Sequence, residues 1–215
     1  MKRGVRGIFI TFEGVEGSGK TTQIKRLSQR LEALKKSVKL FCEPGGTATG
    51  LALRRILLHA SQNERLYPET ELLLFAAARA QLVRECLLPA LKVGTIVLCD
   101  RFLDSSMAYQ GAARGIPEAA IRRINNFAVG SVVPDLTFIF DVPAELGLQR
   151  ARGSGDLDRI ESETLDFHHK VREGYHKLLQ GPSSERFLLI DGTEPEDDIA
   201  KTIWEAFKAR FCGDL

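Results

Sequence analysis

Residues 14–21 read Gly14-Val15-Glu16-Gly17-Ser18-Gly19-Lys20-Thr21, which fits the pattern G-x-x-x-x-G-K-[ST] of a phosphate-binding loop. The preceding residues 8–12 are apolar or β-branched, as in one buried strand. The following residues 20–36 carry apolar side chains three and four positions apart, as on one helix face: Ile24, Leu27, Leu31 and Leu34. In this context, backbone N–H groups and a helix N-terminus face a polyphosphate. The stretch therefore predicts binding of a nucleoside triphosphate.

Two side chains of this loop suit a nucleotide that is bound with a metal ion. The Lys20 ammonium is expected to reach the β- and γ-phosphates, and the Thr21 hydroxyl to ligate Mg²⁺. The residues predicted to bind the triphosphate are Gly14, Val15, Glu16, Gly17, Ser18, Gly19, Lys20, Thr21 and Thr22.

Length and charge narrow the class of protein. The 215 residues suit a single domain, 1–215, with a substantial core. Lys and Arg number 30 and Asp and Glu number 28, a formal net charge of +2, which indicates neither a nucleic-acid nor a membrane partner. The first apolar run ends at Glu13, too early for a signal peptide or a membrane span.

Cysteine and histidine form no metal-binding pattern in this sequence. The four cysteines are scattered without a C-x-x-C pair: Cys42, Cys86, Cys99 and Cys212. This is typical of reduced thiols in a cytoplasmic protein. The pair His168-His169 falls in a polar helical stretch without partners at ligand spacing, and we expect both side chains on a solvated surface.

Short apolar runs alternate with helical patterns along the whole chain. The runs are 8–12, 38–42, 95–99, 136–140 and 186–190, and the helical patterns are 20–36, 49–59, 69–91, 117–129, 144–152, 162–179 and 195–211. Such alternation predicts an α/β fold: a P-loop NTPase-type, five-stranded parallel sheet flanked by helices on both faces. Ligands of such sheets bind beyond the carboxyl ends of the strands.

An acidic residue follows each of the five runs and is expected on that one rim of the sheet: Glu13, Glu43, Asp100, Asp141 and Asp191. Asp100-Arg101 is the most specific of these positions. An acid that follows a buried strand can hold Mg²⁺ in phosphate-loop enzymes, and a neighbouring guanidinium can grip a second phosphate. The alternative is an Asp–Arg ion pair at a strand end.

Residues 150–159 form an arginine- and glycine-rich run after a predicted helix. Phosphoryl transfer needs cations around the transferring group, and a closing segment often delivers them while it excludes water. The candidate cations are Arg150, Arg152 and Arg159. The alternative is a solvated basic loop.

Five segments together resemble those of bacterial thymidylate kinases, in the same order and at matching spacing. They are residues 13–22, Glu43-Pro44-Gly45-Gly46-Thr47, Asp100-Arg101-Phe102, Ala108-Tyr109-Gln110-Gly111 and Leu157-Asp158-Arg159-Ile160-Glu161. The resemblance implies transfer of the γ-phosphoryl group of ATP to dTMP, giving dTDP and ADP with Mg²⁺. It also implies a short lid at about residues 150–161 and a homodimer formed through packed helices.

The same resemblance implies a role for each site residue. The catalytic residues would be Lys20, Arg101, Arg150, Arg152 and Arg159, with Arg101 on the acceptor phosphate. Thr21, Asp100 and Glu16 would hold the metal. The residues that would bind dTMP are Glu16 (also at the 3′-hydroxyl), Glu43, Phe75 (stacked on thymine), Arg79 (bonded to O4), Ser106 and Gln110 (at the N3 edge) and Tyr109 (against the 2′ position of the sugar).

The chain departs from that family pattern at two positions. Ser154 stands where relatives carry another arginine, so the catalytic role of the lid would be shared by the three arginines that are present. Cys42 stands where an arginine often precedes the Glu-Pro-Gly-Gly-Thr segment.

Two other functions are open from the residues alone. A kinase for another nucleotide or a nucleoside would share the loop and the Asp-Arg pair, but not Phe75 and Arg79 with Ser106 and Tyr109. A GTP-dependent switch would carry a guanine-reading Asn-Lys-x-Asp segment, which the sequence lacks.

Overall fold

The computed structural model describes residues 7–59, 65–153, 157–181 and 184–211. Its parallel sheet has the strand order β2-β3-β1-β4-β5. The strands are β1 (Phe9–Gly14), β2 (Val38–Cys42), β3 (Ile96–Asp100), β4 (Leu136–Asp141) and β5 (Phe187–Asp191). Each strand lies within one or two residues of a predicted run, and the predicted fold class is confirmed.

Helices connect these strands and cover the sheet. They are α1 (Lys20–Ala33), α2 (Ala48–His59), α3 (Pro68–Leu82), α4 (Leu88–Lys92), α5 (Leu103–Ser106), α6 (Glu118–Val129), α7 (Ala144–Arg152), α8 (Leu165–Leu178) and α9 (Glu196–Phe211). Two π-helical segments, Val83–Leu87 and Met107–Ala113, continue α3 and α5, and a 3-10 turn, Ser184–Arg186, precedes β5. Within the described ranges, every helix is too short or too polar to cross a lipid bilayer.

Alternate residues of the central strands pack into layers on opposite faces of the sheet. Ile10 and Phe12 of β1 join α1 and α9 in one core layer. Phe9 joins α3, α4 and the π-helical segment between them in the other layer. Because successive strand side chains point to opposite faces, a strand that is covered on both sides must be apolar throughout. This is why β1 reads as a continuous apolar run in the sequence.

Two helical predictions are corrected by the structure. The pattern 69–91 is interrupted at Val83–Leu87, just before Pro89, which lacks the N–H group that a continuous α-helix needs. The helical stretch 103–113 was missed, because its serines and Gln110 leave no apolar stripe. It follows β3 directly and forms one wall of the site described next.

Candidate active site

The phosphate-binding loop joins β1 to α1, as the sequence predicts. The Lys20 ammonium is buried and donates to the carbonyl oxygens of Gly14 (3.2 Å) and Val15 (2.7 Å) and to the Ser18 hydroxyl (3.1 Å). Burial and the Arg101 guanidinium together lower the pKa of Lys20 to about 8, although the nearby carboxylates oppose that shift. The loop therefore holds a lysine cation among its own backbone oxygens at the N-terminus of α1.

Helix α7 packs directly against this loop. A Cβ atom at Gly17, whose φ is +63°, would collide with the Gly147 carbonyl, so the two backbones approach as only glycine allows. A Cβ atom at Gly17 would also lie 3.0 Å from the Cβ of Arg150. The Arg150 guanidinium donates to the Gly192 carbonyl (2.9 Å). Arg150 is thus the lid arginine whose side chain begins beside the phosphate loop.

The other predicted lid residues lie apart from Arg150. Arg152 is exposed at the end of α7. Arg159 donates to the Leu57 carbonyl (2.7 Å) and to the Glu71 carboxylate (2.6 Å), both outside the lid. Ser154 lies outside the described residues. The structure therefore does not bring the three arginines to one point.

Thr21 and Asp100 meet at the start of α1 and the end of β3. The Thr21 hydroxyl donates to Oδ2 of Asp100 at 2.9 Å. A hydroxyl and a carboxylate oxygen are hard ligands of the kind that Mg²⁺ takes, and Mg²⁺ usually completes its shell with phosphate oxygens and water. No group of three His, Cys, Asp or Glu side chains within the described ranges could hold a metal. The two oxygens fit a metal ion that arrives with a nucleotide.

Arg101 connects the phosphate loop to the wall formed by residues 103–113. Its backbone is in the left-handed region, φ +65°, which is strained for an arginine. Its guanidinium donates to the Gly14 carbonyl (2.8 Å) and to Oε1 of Glu16 (3.0 Å), and it lies 5.0 Å from the centre of the Tyr109 ring. Burial opposes ionisation of Glu16, but Arg101, His168, Lys20 and Tyr109 outweigh it and lower the pKa of Glu16 to about 2. A negative charge therefore sits beside Arg101 inside the site.

A cleft of about 220 Å³ opens beyond the carboxyl ends of the strands. All of the residues predicted to bind the acceptor line it, together with Lys20, Thr21 and Asp100: Glu16, Glu43, Phe75, Arg79, Arg101, Ser106, Tyr109 and Gln110. The lid contributes Asp158, Ile160 and Glu161 to the same cleft. The structure thus brings these side chains to one cleft, whereas it leaves the lid arginines outside the lining.

Arg79 is buried at the base of this cleft, and its guanidinium is almost fully engaged. It donates to Glu43 (2.8 Å), Ser106 (3.1 Å), Asn125 (2.7 Å) and the Phe102 carbonyl (3.1 Å). These bonds use four of its five N–H groups, so one N–H on Nη2 is left for a ligand. Arg79 therefore has one donor for a base and four that hold the pocket together.

Glu43 is the charged partner of Arg79. Burial raises the pKa of Glu43 to about 7, while the Arg79 guanidinium opposes that rise. Its Oε2 accepts from Arg79, whereas its buried Oε1 has no hydrogen-bond partner in the described part of the chain. Glu43 thus presents one acceptor oxygen that the protein does not satisfy.

Comparison with known proteins assigns this chain to a family. The family model for thymidylate kinase matches residues 12–203. The chain belongs to the thymidylate kinase family. It is 46% identical over 205 residues to a thymidylate kinase of Deinococcus radiodurans, covering 95% of this chain and 98% of that protein. It is 49% identical over 203 residues to one of Pelobacter propionicus, covering 92% of each.

Sequence reasoning placed Glu13 on the rim but missed the cluster that it forms behind Arg101. Its Oε1 accepts from the Phe102 amide (2.8 Å), and its Oε2 accepts from the hydroxyls of Ser105 (2.6 Å) and Tyr175 (2.9 Å). Arg101 also donates to the Tyr175 hydroxyl (3.2 Å). Burial and the nearby Asp104 raise the pKa of Glu13 to about 7. The signal available in the sequence was an acid that directly follows an apolar run.

The prediction of a solvated surface is wrong for His168. Its side chain is 1% exposed, and its Nδ1 lies 3.5 Å from Oε2 of Glu16. His169 matches the prediction better, since it is 44% exposed and pairs with Glu145 at 3.0 Å. The spacing of Phe167, Val171 and Tyr175 marks a buried face of α8 that reaches His168, a signal that the polar composition of the helix concealed.

Glu71 is a second buried acid that sequence reasoning missed. It lies on α3, one turn before Phe75, and accepts from Gln110 (2.8 Å), Arg159 (2.6 Å) and both sides of the Arg114 guanidinium (3.2 and 3.1 Å). These charged hydrogen bonds lower the pKa of Glu71 in spite of its burial. Glu71 therefore links the lid residue Arg159 to helix α3 and to the helical stretch 103–113, which both line the acceptor side of the cleft.

Proposed function

We propose that this cleft is where the protein transfers the γ-phosphoryl group of ATP to dTMP, giving dTDP and ADP. Family membership shows the reaction, and one observation supports its location in this cleft. Arg101 bonds the Gly14 carbonyl of the phosphate loop while it faces Glu16 and Tyr109 in the acceptor cleft. A guanidinium at this junction can hold an acceptor phosphate next to the donor phosphates, and positioning of that kind carries most of the catalysis in phosphoryl transfer.

ATP binds on the phosphate loop in this proposal. The backbone N–H groups of residues 14–22 and the N-terminus of α1 face its phosphates. Lys20 leaves the loop carbonyls for the β- and γ-phosphates and stabilises the charge of the transition state. Of the lid arginines, Arg150 starts beside the loop and is proposed to reach the transferred group.

Mg²⁺ is proposed to lie against the oxygens of Thr21 and Asp100 and to neutralise phosphate charge when it is bound. The metal role of Glu16 stays a prediction; its Oε1 accepts from Arg101 and from Tyr109 (2.5 Å).

dTMP is proposed to place its phosphate at Arg101 and its base at the far end of the cleft. Phe75 stacks on the thymine ring, and the unused N–H of Arg79 donates to O4. Ser106 and Gln110 lie along the N3 edge, and Tyr109 packs against the sugar, where a 2′-hydroxyl would collide. The unsatisfied Oε1 of Glu43 is available to a donor on this side of the cleft.

The whole chain is proposed to act as one domain with a lid at about residues 150–161, and to pair as a homodimer. Apolar side chains that are more than half exposed support the pairing: Leu51 of α2, Leu73 of α3 and Phe127 of α6, at 53%, 55% and 88%. Helix α3 packs against both α2 and α6, so the three helices form one continuous layer. Exposed apolar surface of this kind marks association sites.

The protein is further proposed to work in the cytoplasm without a nucleic-acid or membrane partner. The free thiols of Cys42, Cys86 and Cys99 suit a reducing compartment. The nearly balanced charge offers no basic field for nucleic acid.

Release of ADP in the presence and absence of dTMP tests the proposal. The wild type should release ADP only when dTMP is present, and Lys20→Ala should lose more than about tenfold in kcat, because a cation is lost from the transition state. Lys25→Ala is the matched control, since Lys25 is exposed on the same helix and should leave kcat unchanged. A Lys20→Ala variant that keeps wild-type kcat would contradict the assignment of the loop.

A further inference from the structure

His168 is a buried histidine that the proposed phosphoryl transfer does not use. Its ring points from α8 toward the phosphate loop, with Nδ1 at 3.5 Å from Oε2 of Glu16. In the part of the chain that the structure describes, neither ring nitrogen of His168 has a hydrogen-bond partner, and neither does Oε2 of Glu16. A buried polar group without a partner is costly. A potential donor and an acceptor that face each other at this distance therefore indicate an interaction that is close to forming.

Glu16 is the side chain through which His168 could affect the site. The other carboxylate oxygen, Oε1, accepts from the Tyr109 hydroxyl (2.5 Å) and from Nη2 of Arg101 (3.0 Å). Both donors meet a single oxygen, so they leave the carboxylate free to turn about that point. A donor on Oε2 would fix its plane, and with it the positions of Tyr109 and Arg101.

The surroundings of His168 are rigid enough to serve this purpose. A Cβ atom at Gly174 would lie 2.8 Å from the Cα of Ala108, so α8 meets the π-helical segment 107–113 with almost no space between the backbones. The Phe167 ring packs edge-on against His168, with centres 5.5 Å apart, and against Tyr109, with centres 6.2 Å apart. His168 and Tyr109 are therefore held in one packed unit that faces Glu16.

Resting on the proposed function, we propose that His168 is a positioning residue whose Nδ1–H donates to Oε2 of Glu16 and thereby orients Tyr109 and Arg101 toward dTMP. In a neutral imidazole one ring nitrogen donates and the other accepts, and the proposal requires the donor to be Nδ1. An N–H···O bond spans about 2.7–3.2 Å, so a side-chain shift of about half an ångström closes it. His168 touches neither the nucleotides nor the metal ion, and it acts only through Glu16.

Two substitutions separate a hydrogen bond from simple space filling. His168→Phe keeps a ring of similar size and loses the donor. His168→Asn loses the ring and places an amide N–H near the position of Nδ1. His169→Asn, on the adjacent exposed residue, is the control for changes in α8 itself.

The expected result is a change in dTMP binding that follows the donor and not the volume. His168→Phe should raise the KM for dTMP by about tenfold, the size of one lost hydrogen bond to a charged group, with the KM for ATP within about twofold. His168→Asn should keep the KM for dTMP within about threefold of the wild type. Two results overturn the proposal: His168→Phe that matches the wild type, or His168→Asn that is impaired as much as His168→Phe.

A measurement on the unmutated protein keeps the proposal testable if either variant fails to fold. The ¹⁵N chemical shifts of a histidine side chain distinguish the two neutral tautomers. The chain has four histidines, and the His168 signal is assigned through its contact with the Phe167 ring, whose centre lies 5.5 Å from that of His168. The Nδ1–H tautomer supports the proposal, whereas the Nε2–H tautomer overturns it, since Nδ1 could then only accept.

The outcome also separates this inference from the proposed function. If the wild type does not phosphorylate dTMP, the proposed function fails before any variant is compared. If the wild type is active but the KM for dTMP does not depend on a hydrogen-bond donor at position 168, only the proposed role of His168 fails.

Discussion

Replacement of Arg79 by methionine should destabilise the fold strongly, as well as weaken dTMP binding. The side chains of Arg79 and Glu43 are only 1% and 3% exposed, and Nε of Arg79 lies 2.8 Å from Oε2 of Glu43. Removing the guanidinium leaves the Glu43 carboxylate without its counter-charge and three further acceptors without a donor. Breaking a buried pair from one side costs about 3–5 kcal/mol. We expect Arg79→Met to lower the free energy of unfolding by about that amount at pH 8.

The loss should depend on pH and on the charge of Glu43. The pKa of Glu43 is raised to about 7 even with Arg79 present, and it rises further once the guanidinium is gone. A carboxyl whose folded pKa lies above its unfolded value loses stability as pH rises, so the loss should be smaller at pH 5 than at pH 8. Adding Glu43→Gln to Arg79→Met removes the unpaired charge and should recover part of the stability.

Urea unfolding of the single and double variants at both pH values measures these effects. Arg26→Met is the matched control: Arg26 also bonds carboxylates, those of Glu196 and Asp197, but on the surface, and its loss should change stability far less. An Arg79→Met loss below about 1 kcal/mol, or no recovery in the double variant, would refute the reasoning.

Arg101→Ala should weaken dTMP binding at least about tenfold more than ATP binding, and calorimetry that finds equal losses would contradict the acceptor role. Among the lid arginines, Arg150→Ala should lower kcat most, whereas Arg159→Ala should mainly lower the melting temperature by releasing Glu71; the reverse order would move the catalytic role to Arg159. The pKa of Glu13 in the folded protein is about 7, against an ordinary 4.5, so the wild type loses stability as the pH rises from 5 to 8. Over that range the free energy of unfolding of Glu13→Gln should therefore rise by up to about 3 kcal/mol relative to that of the wild type. Urea unfolding that gives a pH-independent difference would contradict this.

The sheet and the phosphate loop could be predicted from the sequence because contiguous stretches of residues determine each of them. A central strand that is buried on both faces must be apolar, so β1, β3 and β4 each appear as a run with an acid at its end. The loop is a contiguous pattern between one strand and one helix. Residues 103–113 were missed because their helical form depends on packing against α8 and α6, not on an apolar stripe of their own.

The contacts inside the site could not be predicted, since each joins segments that are far apart in the chain. The four partners of Arg79 come from residues 43, 102, 106 and 125. The helical spacing of Phe75 and Arg79 predicts one shared face, but nothing in that spacing shows that most of the Arg79 donors are already used. The sequence likewise predicts Arg159 as a cation of the lid, and nothing in it indicates the hydrogen bond that Arg159 donates to Glu71 in the structure.

Selection among acceptor nucleotides tests the central claim, that this cleft reads dTMP. The measurement is kcat/KM of the wild type for dTMP, dUMP, dCMP and the ribose analogue of dTMP, at one fixed ATP concentration. In the proposed binding mode, the free N–H of Arg79 matches the O4 acceptor of thymine and opposes the amino group of cytosine, and Tyr109 packs where a 2′-hydroxyl would lie. We predict that dTMP exceeds dCMP by about a hundredfold or more and clearly exceeds its ribose analogue. Equal kcat/KM values for dTMP and dCMP would contradict the account and leave only a phosphate-loop kinase of another specificity.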